Sequence, residues 1–291
     1  MIKKRVRAPF GALRMTANAQ AQRARRVLLL FYALISTLGF SQEVKTHSFF
    51  FEWGYNREVY SKSTIRIYDG GLNDFKVYDV KAKDRPDYDH ILKNPIQFTV
   101  PQYSIRLGCY LDSERKKALV LSFDHAKYVV VDRQTARVKG KLQGEDVDSV
   151  MVLDPDNFLH FEHTNGANFL QVGLQIQGGR FKSQGSKVKY ERWSWTLQPM
   201  VGVVIPKTFV KLWGEALDNE FHVAGFIISG EVGVRYKLSK LFYLTTQIRT
   251  GFADYIDVLA ACNAKASHAF FYAQGDVCLG LQISGLKFKK T

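Results

Sequence analysis

Residues 103–111 read YSIRLGCYL: Tyr103, Ile105, Leu107, Cys109 and Leu111 are apolar, and Gln102, Ser104, Arg106 and Gly108 alternate with them. A strand points successive side chains to opposite faces, so this stretch specifies one apolar face and one polar face. Inside a bilayer every backbone group must pair with a neighbouring strand, and side chains must face lipid on one side and a lumen on the other. A closed transmembrane barrel satisfies both demands.

The pattern recurs. Phe49, Phe51, Trp53 and Tyr55 alternate with Glu52, Gly54 and Asn56, and Trp193, Trp195, Leu197, Val201, Val203 and Ile205 with Ser194, Thr196 and Gln198. Ala224, Phe226, Ile228, Val232 and Val234 alternate with Ser229, Glu231 and Arg235. Phe242, Leu244 and Ile248 interleave with Thr245, Gln247 and Arg249, and Val277, Leu279, Leu281 and Ile283 with Asp276, Gly280 and Gln282. A soluble β-sandwich also alternates, because each of its sheets packs one face on a core. Strand length, and aromatics at the ends of the apolar faces (Phe49, Trp193, Trp195, Phe242, Phe271), favour the membrane barrel.

The expected fold is therefore all-β, an up-and-down antiparallel transmembrane barrel of eight strands, near 47–60, 98–111, 117–131, 158–178, 190–205, 221–237, 240–253 and 268–285. Treating 158–178 as one strand requires a bulge at Gly166, because the apolar parity flips there from Leu159 and Phe161 to Leu170, Val172, Leu174 and Ile176. Connections 112–116 and 238–239 are short and 179–189 longer, on the periplasmic side. Those at 61–97, 132–157, 206–220 and 254–267 are long and extracellular. If 63–80 adds a strand pair to the wall, the count becomes ten.

The chain of 291 residues carries a net charge of +14, and residues 1–41 hold eight Lys and Arg and no acid, leaving +6 for the rest. Nucleic acid is therefore not an expected partner. Val27 to Phe40 is an uncharged apolar run preceded by Arg23, Arg25 and Arg26, too short for a spanning helix of about 20 residues. It reads as the core of a signal peptide over 1–41, with Gly39 and Ser41 as the small residues before a cut at Gln42; Met15 is a possible start. A mitochondrial presequence is the competing reading. Residues 42–291 form the barrel domain. Cys109, Cys262 and Cys278 make no even framework and sit in no metal-ligand spacing, so neither metal nor cofactor is expected.

An eight-stranded barrel has room only for its own side chains. Glu52, Arg106, Asp124, Glu162, Glu231, Arg235, Arg249 and Asp276 fall on the inward parity and are expected to plug the lumen as a salt-bridge network; a conduction path would need a wider barrel. Two acid–His pairs, Asp124-His125 and Glu162-His163, flank the 132–157 loop. If that loop closes symmetrically, His125 and His163 become cross-strand neighbours on the outer face beside Lys127. This would be a site for lipopolysaccharide phosphates, or simply a polar rim above the apolar band.

Segments FFFEWGYNREVYSKS (49–63), DVKAKDRP (79–86), VPQYSIRLGCYL (100–111), FDHAKYV (123–129), FEHTNG (161–166) and LDNEFHVAGF (217–226) resemble an uncharacterised family of outer-membrane barrels from Bacteroidota. That resemblance implies location and fold and transfers no active site. His163-Thr164-Asn165-Gly166 is similar to the motif of lipid A deacylase barrels, in which His activates a Ser two residues on. Here Asn165 stands in the serine's place, and Thr164 is the only hydroxyl. The candidate catalytic set for acyl-ester hydrolysis is thus His163, Thr164 and Glu162.

The leading expectation is a non-enzymatic envelope barrel whose partners are outer-membrane lipids, lipopolysaccharide and the outer-membrane assembly machinery. The alternatives are a lipid A hydrolase and a small channel.

Overall fold

The computed structural model describes residues 47–86, 102–178 and 192–286, all within the compact unit Val44–Thr291. The signal segment, the cut before Gln42 and the 179–189 connection lie outside the described residues. In chain order the strands begin with β1 (His47–Tyr60), β2 (Ser63–Tyr68), β3 (Asp74–Val80), β4 (Ala82–Lys83), β5 (Tyr103–Tyr110) and β6 (Lys117–His125). Next come β7 (Tyr128–Val130), β8 (Thr135–Leu142), β9 (Glu145–Val152), β10 (Leu159–His163), β11 (Phe169–Gly178) and β12 (Trp193–Val204). The last are β13 (Phe209–Leu212), β14 (Glu215–Asp218), β15 (Gly225–Lys237), β16 (Phe242–Leu259) and β17 (Lys265–Leu286).

Eight strands close a barrel in the order β1-β5-β6-β11-β12-β15-β16-β17, every pair antiparallel, with β17 returning to β1. Period-two alternation gives the wall its two faces. Outward, Leu107, Leu121, Leu197, Val232, Ile248 and Val277 are exposed; inward, Glu52, Arg106, Asp124, Gln198, Glu231 and Arg249 are buried. At one end of this apolar band the outer face carries Trp193, Trp195 and Phe242. At the other it carries Phe226, Phe252 and Phe271, the last two with ring centroids 5.1 Å apart.

The 63–80 hairpin exists as β2 and β3 but adds nothing to the ring, so the barrel has eight strands and not ten. Arg66 to Tyr68 pair with Lys265 to Ser267 at the tip of β17, and β3 pairs onward to β8. Connection 254–267 is likewise not a long loop. β16 and β17 run on past the outer aromatics and meet in a turn at Ala260–Ala264, where Ala264 N donates to Ala261 O.

The expected single bulge at Gly166 is replaced by a larger device. Three adjacent wall strands break at one level, at 126–127, 164–168 and 205–208, and continue as β7, β10 and β13 in the same side-by-side order. Ala167 N donates to Ala126 O at 2.8 Å, and Lys207 N to Gly166 O at 3.0 Å, stitching the break. Gly166 has φ +123°, where any side chain is strained, and a Cβ there would strike the Asn168 side chain. The parity flip has a physical reason: Leu159 and Phe161 face a protein core above the break, whereas Leu170 and Val172 face outward below it.

Beyond the break, β14-β13-β10-β7-β4 form one sheet, and β2-β3-β8-β9 extend the barrel sheet. Together they cap the barrel over a core that includes Ile65, Ile67, Phe75, Val138, Phe161 and Leu212. That core is continuous with Phe169, Tyr255, Phe270 and Tyr272 of the wall. Burying a side chain such as Phe161 or Ile65 completely stabilises the fold by roughly 1.5–3 kcal/mol.

Candidate functional site

The lumen is filled in layers. At the turn end Phe50, Tyr110 and Tyr243 pack with Ala118 and Val120. Gly108 and Gly280 sit directly across from Phe50 and Tyr243, leaving those rings the room a Cβ would take. The Arg235 guanidinium lies 4.2 Å from the Tyr243 ring centroid and 5.1 Å from that of Phe50, and its Nη2 donates to Glu52 Oε1 at 2.6 Å.

The next layer is ionic. Arg106 Nη2 bridges Glu231 at 2.8 Å and Asp276 at 3.1 Å, and its Nη1 reaches Glu52 at 3.6 Å. Arg249 pairs with Asp124 and with Glu231, the latter at 2.8 Å. Gln274 Nε2 donates to Asp124 and Asp276, both at 3.0 Å, and Ser104 Oγ stands between the same two carboxylates. Three guanidiniums and four carboxylates thus form one connected buried network. Charge pairing of this kind offsets the desolvation of groups that would otherwise be very costly to bury.

Above it lies an aromatic layer. Tyr128, Phe161, Tyr255 and Phe270 surround His163 and His268, which meet Nε2 to Nε2 at 2.9 Å, and Tyr60 packs behind on Tyr128 and Phe270. His163 stacks on Tyr255 with centroids 4.8 Å apart, and its Nδ1 lies 2.8 Å from Thr208 Oγ1. Burial first, then the neighbouring His268 and His222, hold the His163 imidazole well below the ordinary histidine range.

Of the eight residues expected in the lumen, Glu52, Arg106, Asp124, Glu231, Arg235, Arg249 and Asp276 occupy this network. Glu162 does not. It lies on β10 in the cap, where Arg85 Nη1 donates to it at 3.1 Å, Thr164 Oγ1 at 2.8 Å, and His160 Nε2 stands 3.3 Å away.

The candidate catalytic set is also parted. His163 is wholly buried in the cap–barrel interface, while Glu162 lies on the opposite face of β10 and accepts from Thr164, just past the strand's end. His163 is therefore not on the outer face and is no neighbour of His125. The break at 164–168 sets the register so that His163 pairs with Tyr128, while His125 pairs with Tyr103. His125 remains on the outward parity of β6, stacked on Tyr103 at 5.1 Å, with Nδ1 2.8 Å from Asn168 Oδ1. Lys127 follows in the break, half-buried, its carbonyl accepting from Tyr60 Oη at 2.8 Å.

Inward parity could have pointed to Ser104, Gln247 and Gln274. His268 and the tyrosines around it carried no such signal, because the expected lumen was polar throughout.

A closed, filled barrel of eight strands with an apolar outside and an ionic inside belongs to the architectural class of transmembrane β-barrels. No family model and no curated protein matches the chain. Among solved structures it is similar to the outer membrane protein OprG from Pseudomonas aeruginosa, at 14% identity and TM-score 0.35, covering 82% of this chain and 97% of that one. It is similar also to the outer membrane protease OmpT from Escherichia coli, at 8% identity and TM-score 0.40, covering 84% and 100%. A third is Neisserial surface protein A, at 10% identity and TM-score 0.32, covering 84% and 97%. None of these likenesses is close enough to transfer a site.

Proposed function

We propose that the chain is a non-conducting outer-membrane barrel that serves the envelope as a structural element, presenting its β-cap at the cell surface. The observation that carries this reading is the filling of the lumen from end to end: aromatic plug, arginine–carboxylate network, histidine–tyrosine layer and apolar cap core. A pathway for solutes would have to break several buried ion pairs at once. In planar bilayers the purified protein is expected to give no steady conductance, and stable unitary currents would overturn the reading.

The proposal includes export through cleavage before Gln42 and insertion by the outer-membrane assembly machinery. N-terminal sequencing of the membrane-inserted protein should begin at Gln42, and the unboiled protein should migrate differently from the boiled one on a gel. Lipopolysaccharide contact is proposed at the rim where His125 stacks on Tyr103 beside Lys127, with His163 removed from that set by its burial. Lipid A hydrolysis gains no support from a histidine turned away from Thr164. The lipid A acyl pattern should be the same in cells with and without the protein.

A further inference from the structure

At the turn end, opposite the cap, the barrel mouth opens into a recess of about 160 Å³ between the 111–116 and 238–241 turns. Arg115, Arg192, Arg235, Lys237 and Lys240 line it against one carboxylate, Glu114, which is already ion-paired with Lys116. Arg192 is exposed and donates to a neutral partner, the Tyr236 hydroxyl, at 3.0 Å. Arg235 reaches the recess from the lumen and is only 4% exposed; its Nη atoms bond Glu52, Tyr110 and Gln177, but its buried Nε–H donates to nothing among the described residues.

The lining also draws on both faces of the wall. Gln177, Gln282 and Tyr243 project inward, whereas Trp193 and Phe242 belong to the apolar outer face and are 49% and 44% exposed. The recess therefore straddles the rim between lumen mouth and apolar band. A concentration of guanidinium and ammonium groups beside exposed aromatic rings matches a phosphodiester whose acyl chains run down the outer wall.

We propose that this recess binds the phosphate of an anionic phospholipid headgroup from the adjoining leaflet, an assignment that rests on the membrane reading above. Arg192 and Lys240 supply the exposed charge, Arg235 a fixed positive charge where the recess meets the lumen, and Trp193 and Phe242 the acyl-side contact.

Native mass spectrometry of the detergent-purified protein, titrated separately with phosphatidylglycerol, phosphatidylcholine and inorganic phosphate, tests it. The heat-dependent gel shift of the same sample is the check on folding, and its absence would fail the membrane reading rather than this site. Phosphatidylglycerol should be retained, with phosphatidylcholine roughly 10-fold weaker for want of net charge. The double variant R192Q/K240Q should bind phosphatidylglycerol about 30-fold more weakly. K117Q, at the same end but outside the recess and away from Glu114's ion pair, should bind within about threefold of wild type. Equal retention of the two lipids, or an unchanged double variant, overturns the proposal. Displacement of the lipid by equimolar inorganic phosphate would reassign the site to free phosphate and overturn the lipid assignment.

Discussion

His163 and His268 meet Nε2 to Nε2 at 2.9 Å, one imidazole on the cap strand β10 and the other on the barrel strand β17. One proton fits between them, so one ring donates and the other accepts, and protonating both would set two cations in contact. Because His163 is held well below its ordinary pKa, the unfolded chain takes up a proton that the folded chain refuses. Its contribution is therefore intact above about pH 6.5 and is lost as pH falls, by up to about 1.4 kcal/mol per pH unit. Limited proteolysis should cut the cap sooner at pH 5 than at pH 8, and H163F should lessen that dependence. Identical wild-type digestion at the two pH values would refute it.

His160 carries the opposite sign. Its hydrogen bond to Glu162, followed by that to Asp132 at 2.7 Å, holds its pKa above the ordinary value. The contribution of this cluster is complete below about pH 6.5 and fades as pH rises through the raised value. Amide exchange in β7 and β10, corrected for intrinsic rates, should show protection falling between pH 6 and pH 9 in the wild type and little change in H160Q. Equal slopes in the two proteins would remove His160 from this role.

Arg106 is the bridge of the ionic layer, touching Glu52, Glu231 and Asp276. Replacing it with Met leaves carboxylates buried with too few partners, at a cost of about 3–5 kcal/mol. Urea unfolding from lipid vesicles should show that loss, with Arg106→Lys intermediate because an ammonium lacks the fork that reaches several acids. A change below about 1 kcal/mol would mean the network does not hold the barrel closed.

Gly280 leaves room for Tyr243, whose hydroxyl donates to Glu52 Oε1 at 2.9 Å. Gly280→Val should displace that ring and destabilise the barrel by about 1–3 kcal/mol. Gly275→Ala is the control on the same strand, since an added Cβ there meets nothing within 4 Å. Equal effects in the two variants would show that ring displacement is not the cause.

The wall was legible in the sequence because lipid and lumen impose opposite demands on alternate residues, as at Leu107 and Arg106. Above the break that contrast disappears. Leu159 and Phe161 alternate like lipid-facing residues, yet they face a protein core, and period two does not distinguish the two apolar environments. Residues 254–267 looked like a loop because Ala260, Ala261, Ala264 and Ala266 are small, although they are buried beneath the cap. His163 was misassigned through register. The unequal break, two residues at 126–127 against five at 164–168, shifts the pairing in a way no single sequence shows.

The three-strand break also determines where the cap comes from. Its sheets are written on separate stretches of chain, 63–83, 128–163 and 209–218, completed by the tips of β16 and β17. None of these stretches contains the whole cap, and each is threaded into the wall at its base. Cut loose from the barrel, they would have no common scaffold to set their order; the cap exists only as a by-product of the ring having closed.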